Sequence, residues 1–166
     1  IANLSSTQLT AMGSAQLNGL NSSTLQAIET ADLTNLSTAQ VASLSTAQLK
    51  NLSTQQLQAL TSTQLQALTS TQLNALDSDQ LAAVETADIA ALTTTQVAKL
   101  DTAILALLST DQVVAMGTAQ IASLTTTQAA ALTTDQIVAM TTGQVQTLTA
   151  RQVAALTTDS VVALET

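Results

Sequence analysis

The sequence has no aromatic residue, histidine, cysteine or proline, and only four glycines. Without histidine or cysteine it lacks the usual ligands of zinc, haem and iron–sulfur sites, and it has neither a cysteine nucleophile nor a serine–histidine pair. Without aromatic rings it has no stacking platform for nucleic-acid bases, and it cannot fill a large irregular core in the usual way. We therefore expect a non-enzymatic protein without cofactor or metal, built from small uniform layers.

Positive charge is also scarce, with 3 basic residues against 11 acidic ones and a formal net charge of −8. Nucleic acids and anionic lipids are bound largely through cations that neutralise phosphates, so we expect neither as a partner. The longest wholly apolar run covers residues 103–108, whereas a membrane-spanning helix needs about 20 apolar residues. The sequence therefore predicts no membrane insertion.

What the sequence does contain is an uninterrupted eight-residue repeat. Every eighth residue from Leu4 to Leu164 is Leu, Ile, Val or Met, at 21 positions without insertion or deletion. We letter the octad a to h from this residue. Position c is Ser or Thr except at Ala150, e is Gln at 15 of 20 positions, f is aliphatic, and h is mostly Ala. The consensus L-[ST]-T-x-Q-[LV]-x-A predicts one continuous array over residues 1–166, cut from a longer repeat region at both ends.

Each octad carries the signals that start a helix. Ser or Thr at b, followed three residues later by Gln at e, forms a capping box, and apolar a and f are spaced as a hydrophobic staple. All 11 acidic residues lie at b, d or e, in the first turn, and Lys50 and Lys99 lie near the end, as the helix dipole favours. Only Arg151 departs from this polarity. The octad therefore predicts one short capped helix followed by a bend near h, a and b.

These octads predict an all-α solenoid, a superhelix of about 20 repeats. A continuous helix is excluded because a and f average 4.0 residues per turn, so no single face would stay buried. A β-solenoid is the alternative, since Thr and Val suit strands, but a, f and h do not alternate with period two and turn residues are scarce. We expect a and f inside and the polar columns c, d and g outside. The number of octads per superhelical turn and the handedness stay open.

Carboxylate pairs are the first candidates for a site. Asp77 with Asp79, and Glu85 with Asp88, have the chemistry of calcium ligands, but the D-x-D-x-D-G loop is missing. Support of helix starts accounts for all 11 acidic residues, so we predict no metal site. Glycosylation sequons also occur, and we interpret them as a coincidence of the repeat, at Asn3, Asn21, Asn35 and Asn51.

The apolar residues offer two further features. Methionine occurs only in column a, at Met12, Met116 and Met140, which predicts core residues rather than ligands. Ile104 and Leu107 replace the usual polar e and small h, which predicts either a lateral contact or a locally thicker core.

Stretches such as 132–139 (L-T-T-D-Q-I-V-A) resemble the tandem octapeptide tracts of very large bacterial surface or secreted proteins, described as adhesin-like, haemagglutinin-like or RTX-like. The resemblance implies a secreted or cell-surface setting and a structural role as a stiff spacer, stalk or fibre, with end-to-end or lateral self-association as a variant. The glycine-rich calcium nonapeptides of RTX proteins are absent, so no binding residue is carried over. The alternative function is a scaffold whose regular Ser/Thr-rich face binds a peptide, a glycan or ice.

Overall fold

Each helix begins where the sequence places its cap. In the computed structural model, which describes residues 6–163, position b is extended and the helix starts at c. Thr61 shows the pattern, with φ −73° and ψ 156°. The Gln64 backbone N–H donates to Thr61 Oγ1 at 3.3 Å, and the Thr61 backbone N–H donates to Gln64 Oε1 at 2.8 Å. This reciprocal pair confirms the predicted capping box.

Most helices end at position h, and the a residue that follows returns to an extended conformation; others, such as the helix Thr30–Leu33, end one or two residues earlier. Leu68 has φ −66° and ψ 140°, and its N–H donates to the Leu65 carbonyl at 3.1 Å. No residue between 6 and 163 has a positive φ. The bend therefore uses conformations open to every L-residue, which explains how the array turns every eight residues with few glycines and no proline.

The helices fall into two compact units, unit 1 up to Val84 and unit 2 from Glu85 onward. The helices of unit 1 are α1 Ser6–Ala11, α2 Ser14–Asn18, α3 Ser22–Gln26, α4 Thr30–Leu33, α5 Thr38–Ser43, α6 Thr46–Lys50, α7 Thr54–Gln58, α8 Ser62–Ala67, α9 Ser70–Leu73 and α10 Ser78–Ala83. Those of unit 2 are α11 Thr86–Ala91, α12 Thr94–Val97, α13 Thr102–Leu107, α14 Thr110–Ala115, α15 Thr118–Ala122, α16 Thr126–Ala131, α17 Thr134–Ala139, α18 Thr142–Thr147, α19 Ala150–Ala155 and α20 Thr158–Ala163.

The predicted all-α solenoid is confirmed. Within each unit a helix packs on the third helix after it, as α5 does on α8 and α7 on α10 in unit 1, and as α11 does on α14 and α14 on α17 in unit 2. The part of the chain that the structure describes contains no strand, so the β-solenoid alternative is not supported. It also contains no helix that is long and apolar enough to cross a membrane. That the array is one continuous domain of a longer repeat region stays a prediction.

Columns a and f form the interior over most of the array, as predicted, whereas the f residues Val153 and Val161 are exposed. Every a residue from Leu36 to Met140 is buried, and so is every f residue from Leu9 to Ile137. Column d is exposed in every described octad, and c and g are exposed or half-buried. Because such short helices are unstable alone, this shared interior is what stabilises them.

The unusual apolar residues divide between core and surface. Met116 and Met140 are buried and Met12 is half-buried, in agreement with their assignment to the core column. Ile104 is buried among the a and f layers, whereas Leu107 is 50% exposed. The locally thicker core is therefore confirmed at Ile104, and a lateral contact through Leu107 stays a prediction.

Candidate functional site

The glutamines of column e lie in the interior although they are polar. Every glutamine at e from Gln40 to Gln152 is at most 8% exposed where it is described. A buried amide is costly unless its oxygen and its nitrogen are both hydrogen-bonded. The partners of these amides therefore show what column e does.

Gln64 shows the arrangement. Its Oε1 accepts the Thr61 backbone N–H at the start of its own helix, α8. Its Nε2 donates to the Leu33 carbonyl at 2.8 Å and to the Leu36 carbonyl at 2.7 Å. Leu33 is the last residue of α4, and Leu36 lies in the bend that follows it. One side chain thus caps the start of its own helix and the end of a helix one turn earlier, and we name this arrangement the glutamine clamp.

The clamp recurs in both units with the same geometry. The Nε2 bond to the carbonyl 28 residues earlier measures between 2.6 and 3.2 Å at Gln40, Gln48, Gln56, Gln64, Gln72 and Gln80 in unit 1 and at Gln120, Gln128, Gln136, Gln144 and Gln152 in unit 2. A second bond often reaches the carbonyl 31 residues earlier, as from Gln80 to Leu49 at 2.8 Å. Each of these bonds joins adjacent superhelical turns across 28 residues, which is three and a half octads. A superhelical turn therefore contains between three and four octads.

The clamp provides hydrogen-bond donors for carbonyl groups that short helices leave without a partner. The last carbonyls of every helix have no partner within the helix, and with 20 helices in 158 described residues such carbonyls are frequent. Leaving one buried without a partner costs about 1–3 kcal/mol. No buried side-chain nitrogen or oxygen lacks a partner among residues 6–163. The clamp therefore adds directional, turn-to-turn bonds to the non-directional burial of a and f.

The sequence predicts only one of the two functions of glutamine at e, the capping bond accepted by Oε1. The capping box explains Oε1, but Glu serves a capping box as well as Gln does. Column e nevertheless contains 15 Gln and no Glu, and the three glutamates of the chain are Glu29, Glu85 and Glu165, all at b. A carboxylate has no hydrogen to donate to a carbonyl, so the absence of Glu from column e is the sequence signal that corresponds to the clamp.

Five octads depart from glutamine at e, at Thr24, Asp32, Asp88, Ile104 and Ser160. Asp32 accepts a hydrogen bond from the Ser6 hydroxyl, 26 residues earlier, so this position still contacts the preceding turn. Ser160 is buried and shares a hydrogen bond of 2.8 Å with Thr157 within its own octad. Asp32 therefore keeps a contact with the preceding turn, whereas Ser160 bonds within its own octad.

The candidate carboxylates lie at helix starts. Asp77 caps α10 by accepting the Gln80 backbone N–H at 2.8 Å, and Asp79 is exposed in the first turn. Glu85 is exposed and Asp88 is buried. No group of three acidic residues suited to a metal ion occurs in the described part of the chain. That the protein holds no metal stays a prediction.

The candidate asparagines and hydroxyls also make local bonds. Asn21 Oδ1 accepts the Thr24 N–H at 2.9 Å, and Nδ2 of Asn35 and of Asn51 donates to a carbonyl of its own helix. Asn3 lies outside the described residues. Most Ser and Thr side chains at b accept the backbone N–H of e, so a ligand face of hydroxyls would have to rely on column c. Binding of a peptide, a glycan or ice stays a prediction.

One short helix per octad, stacked in superhelical turns and joined by side-chain clamps, defines a tandem-repeat α-solenoid. The ALTTAQ repeat matches four overlapping tracts, residues 25–62, 52–86, 81–118 and 113–142. Together these tracts cover more than half of the chain, and the protein belongs to the ALTTAQ repeat family. No curated protein matches the chain. The match confirms a tandem repeat tract, while a relation to large bacterial adhesins stays a prediction.

Proposed function

We propose that this chain is a non-catalytic structural segment, a stiff spacer or stalk within a large secreted or cell-surface protein. The glutamine clamp is the observation that carries the proposal. It joins turns 28 residues apart with the same bonds in both units. An array of this kind gains length with each added octad and keeps the same local structure, which is the requirement for a spacer.

Stiffness follows from what must break when two turns separate. Separation removes the Nε2 bonds of the glutamines and exposes the a and f layers, so both directional and apolar contacts oppose it. The exposed d column and the net charge of −8 keep the surface hydrated and make copies of the chain repel one another. Self-association into filaments is a variant of the proposal that would have to overcome this repulsion.

A length series tests the spacer directly. Whole octads are removed from, or repeated within, unit 2, and the maximum dimension of each variant is measured by small-angle X-ray scattering. With layers about 8–10 Å apart and more than three octads per turn, eight added octads should lengthen the particle by about 20 Å. Circular dichroism should show unchanged helix content per residue.

A register control accompanies the series. Inserting four residues, half an octad, changes the 28-residue spacing of every clamp that spans the insertion, and should reduce helix content near it. A maximum dimension that does not grow with octad number would contradict the spacer. The setting has its own test: antibodies against the repeat should stain intact cells that produce the parent protein, and staining only after permeabilisation would contradict a surface location.

A further inference from the structure

The outward-facing column g changes its composition between the two units. In unit 1, eight of its ten residues, from Thr10 to Ala82, are polar, whereas in unit 2 nine of ten, from Ala90 to Val162, are Ala or Val. Column g is exposed or half-buried in both units. Packing within the chain therefore does not require apolar residues there, and unit 2 presents an apolar surface that unit 1 lacks.

The largest of these apolar residues occupy the same position in three stacked helices. Val114, Val138 and Val162 belong to α14, α17 and α20, and α17 packs on both α14 and α20. These valines are 38%, 55% and 57% exposed. An exposed aspartate stands three residues before each valine, on the same side of its helix. We name this set the valine–aspartate face, and it consists of Asp111, Val114, Asp135, Val138, Asp159 and Val162.

The neighbouring stack of unit 2 provides the comparison. Helices α13, α16 and α19 also pack on one another, yet their g residues are all Ala and their d residues are Ala103, Thr127 and Arg151. Columns d and g of that stack therefore contain neither three large aliphatic side chains nor three carboxylates; its exposed Leu107 and Val153 lie in columns h and f. The pairing of Asp at d with Val at g therefore belongs to one stack and is not a general property of unit 2.

We propose that the valine–aspartate face docks a cationic amphipathic segment of another protein. Lysine or arginine side chains of that segment would lie against the three carboxylates, and its aliphatic side chains would cover the three valines. The charge of the face and the net charge of −8 favour a cationic partner and oppose a second copy of this chain.

The size of the face indicates a short partner. Three partly exposed valines offer far less than the roughly 800 Å² per partner of a standard protein–protein interface. With packed helices about 8–10 Å apart, the row extends over about 16–20 Å. A helical segment of about 11–13 residues covers that distance at 1.5 Å per residue. The partner is thus a peptide-sized segment, bound reversibly and more weakly at high salt.

A peptide titration tests the proposal on the 166-residue chain. The probe is a helical peptide of Lys, Leu and Ala with one Trp among its leucines. Since the chain has no aromatic residue, all tryptophan fluorescence comes from the probe. Saturable binding with a blue-shifted emission is expected, and the same peptide with Glu in place of Lys should not bind.

Two triple variants locate the binding. Val114→Ser, Val138→Ser and Val162→Ser together should weaken probe binding about tenfold and leave the circular dichroism spectrum unchanged. Asp111→Asn, Asp135→Asn and Asp159→Asn together should also weaken it about tenfold. The matched charge control, Glu29→Gln with Asp79→Asn and Glu85→Gln, removes three exposed carboxylates elsewhere and should change the affinity less than about twofold.

Three results would overturn the proposal. Equal losses in the two carboxylate triples would show general charge attraction, and full affinity in the valine triple would place binding elsewhere. Concentration-dependent dimers in sedimentation without the probe, lost in the valine triple, would identify a second copy as the occupant. None of these results affects the spacer test, because that test depends on octad number alone.

Discussion

In unit 1 Gln64 Nε2 donates a hydrogen bond to the Leu36 carbonyl at 2.7 Å, and in unit 2 Gln136 Nε2 donates to the Leu108 carbonyl at the same distance. Columns a, e and f are thus used alike in both units. Column g differs between the units, since it is mostly polar in unit 1 and mostly Ala or Val in unit 2. The comparison shows that stacking constrains the inward columns, while the outward column g is free to differ between the two units.

The largest expected effect comes from placing a charge in the shared core. Leu68→Asp in unit 1 and Leu132→Asp in unit 2 change side chains that are 2% and 4% exposed. Each should lower the free energy of unfolding by about 4 kcal/mol or more, because the new carboxylate is buried without a partner. Urea denaturation followed at 222 nm measures the loss, and hydrogen exchange shows which helices open.

The matched control is Thr71→Asp, at exposed position d in the first turn of α9. It should be neutral or stabilising by a few tenths of a kcal/mol, because an acidic residue suits a helix start. Equal stability of the Leu68 and Thr71 variants would refute the octad register. A much smaller loss at Leu132 than at Leu68 would refute an equivalent core in the two units.

The second effect tests the clamp. Gln56→Glu in unit 1 and Gln136→Glu in unit 2 keep the shape of the side chain but replace the donor Nε2 with an oxygen facing carbonyl oxygens. We expect a loss of about 3 kcal/mol in each at neutral pH. Gln55→Glu, the adjacent and exposed position of the same helix, should change stability by less than about 0.5 kcal/mol.

The clamp variants should also depend on pH. Burial and the facing carbonyls raise the pKa of the new carboxyl above its unfolded value of about 4.3. Above the folded pKa the carboxylate is charged and the loss is complete. As pH falls through the folded pKa the carboxyl is protonated and regains a donor, so the loss shrinks relative to the unsubstituted chain. An unchanged difference between pH 7 and pH 4 would exclude donation by Nε2 as the function of column e.

The third effect concerns the other half of the capping box. Thr61→Ala and Thr133→Ala remove the hydroxyl oxygens that accept the Gln64 and Gln136 backbone N–H groups. Each should cost about 1 kcal/mol in urea denaturation. Thr61→Ser, which keeps the oxygen, should retain most of the stability, and the exposed Thr63→Ala should cost nothing. A loss in the serine variant as large as in the alanine variant would assign the effect to packing.

The smallest effect is a gain. At Gly13 and Gly117 only the glutamine half of the box exists, because glycine has no side-chain acceptor. A Cβ there would meet Gln16 Oε1 at 3.8 Å and Gln120 Oε1 at 3.6 Å, which are ordinary contacts. Gly13→Ser and Gly117→Ser should therefore each add a few tenths of a kcal/mol. Gly117→Ala, which supplies no acceptor, should lower the melting temperature, and a rise there would contradict capping as the cause.

Much of the fold was predictable from particular residues. Thr61 and Gln64 stand three residues apart, so their mutual bonds follow from local geometry alone. The burial of Leu68 and Leu65 follows from the repeat, because a and f are the columns that are apolar in every octad. The bond from Gln64 to Leu36 was not predicted, because the capping box already explains glutamine at e. The sequence of one octad also does not indicate which residues of the neighbouring turn lie beside it.

The sequence by itself determined where each helix starts, because capping depends on interactions within about four residues. It also determined that a and f are buried, because these columns are apolar in every octad. Only the tertiary structure decided that a superhelical turn closes after between three and four octads, since closure depends on how a and f pack across turns. Because a turn has this size, Gln Nε2 lies beside carbonyl groups 28 residues earlier in the chain. For the same reason α14, α17 and α20 stack on one another, so that their three valines belong to one face.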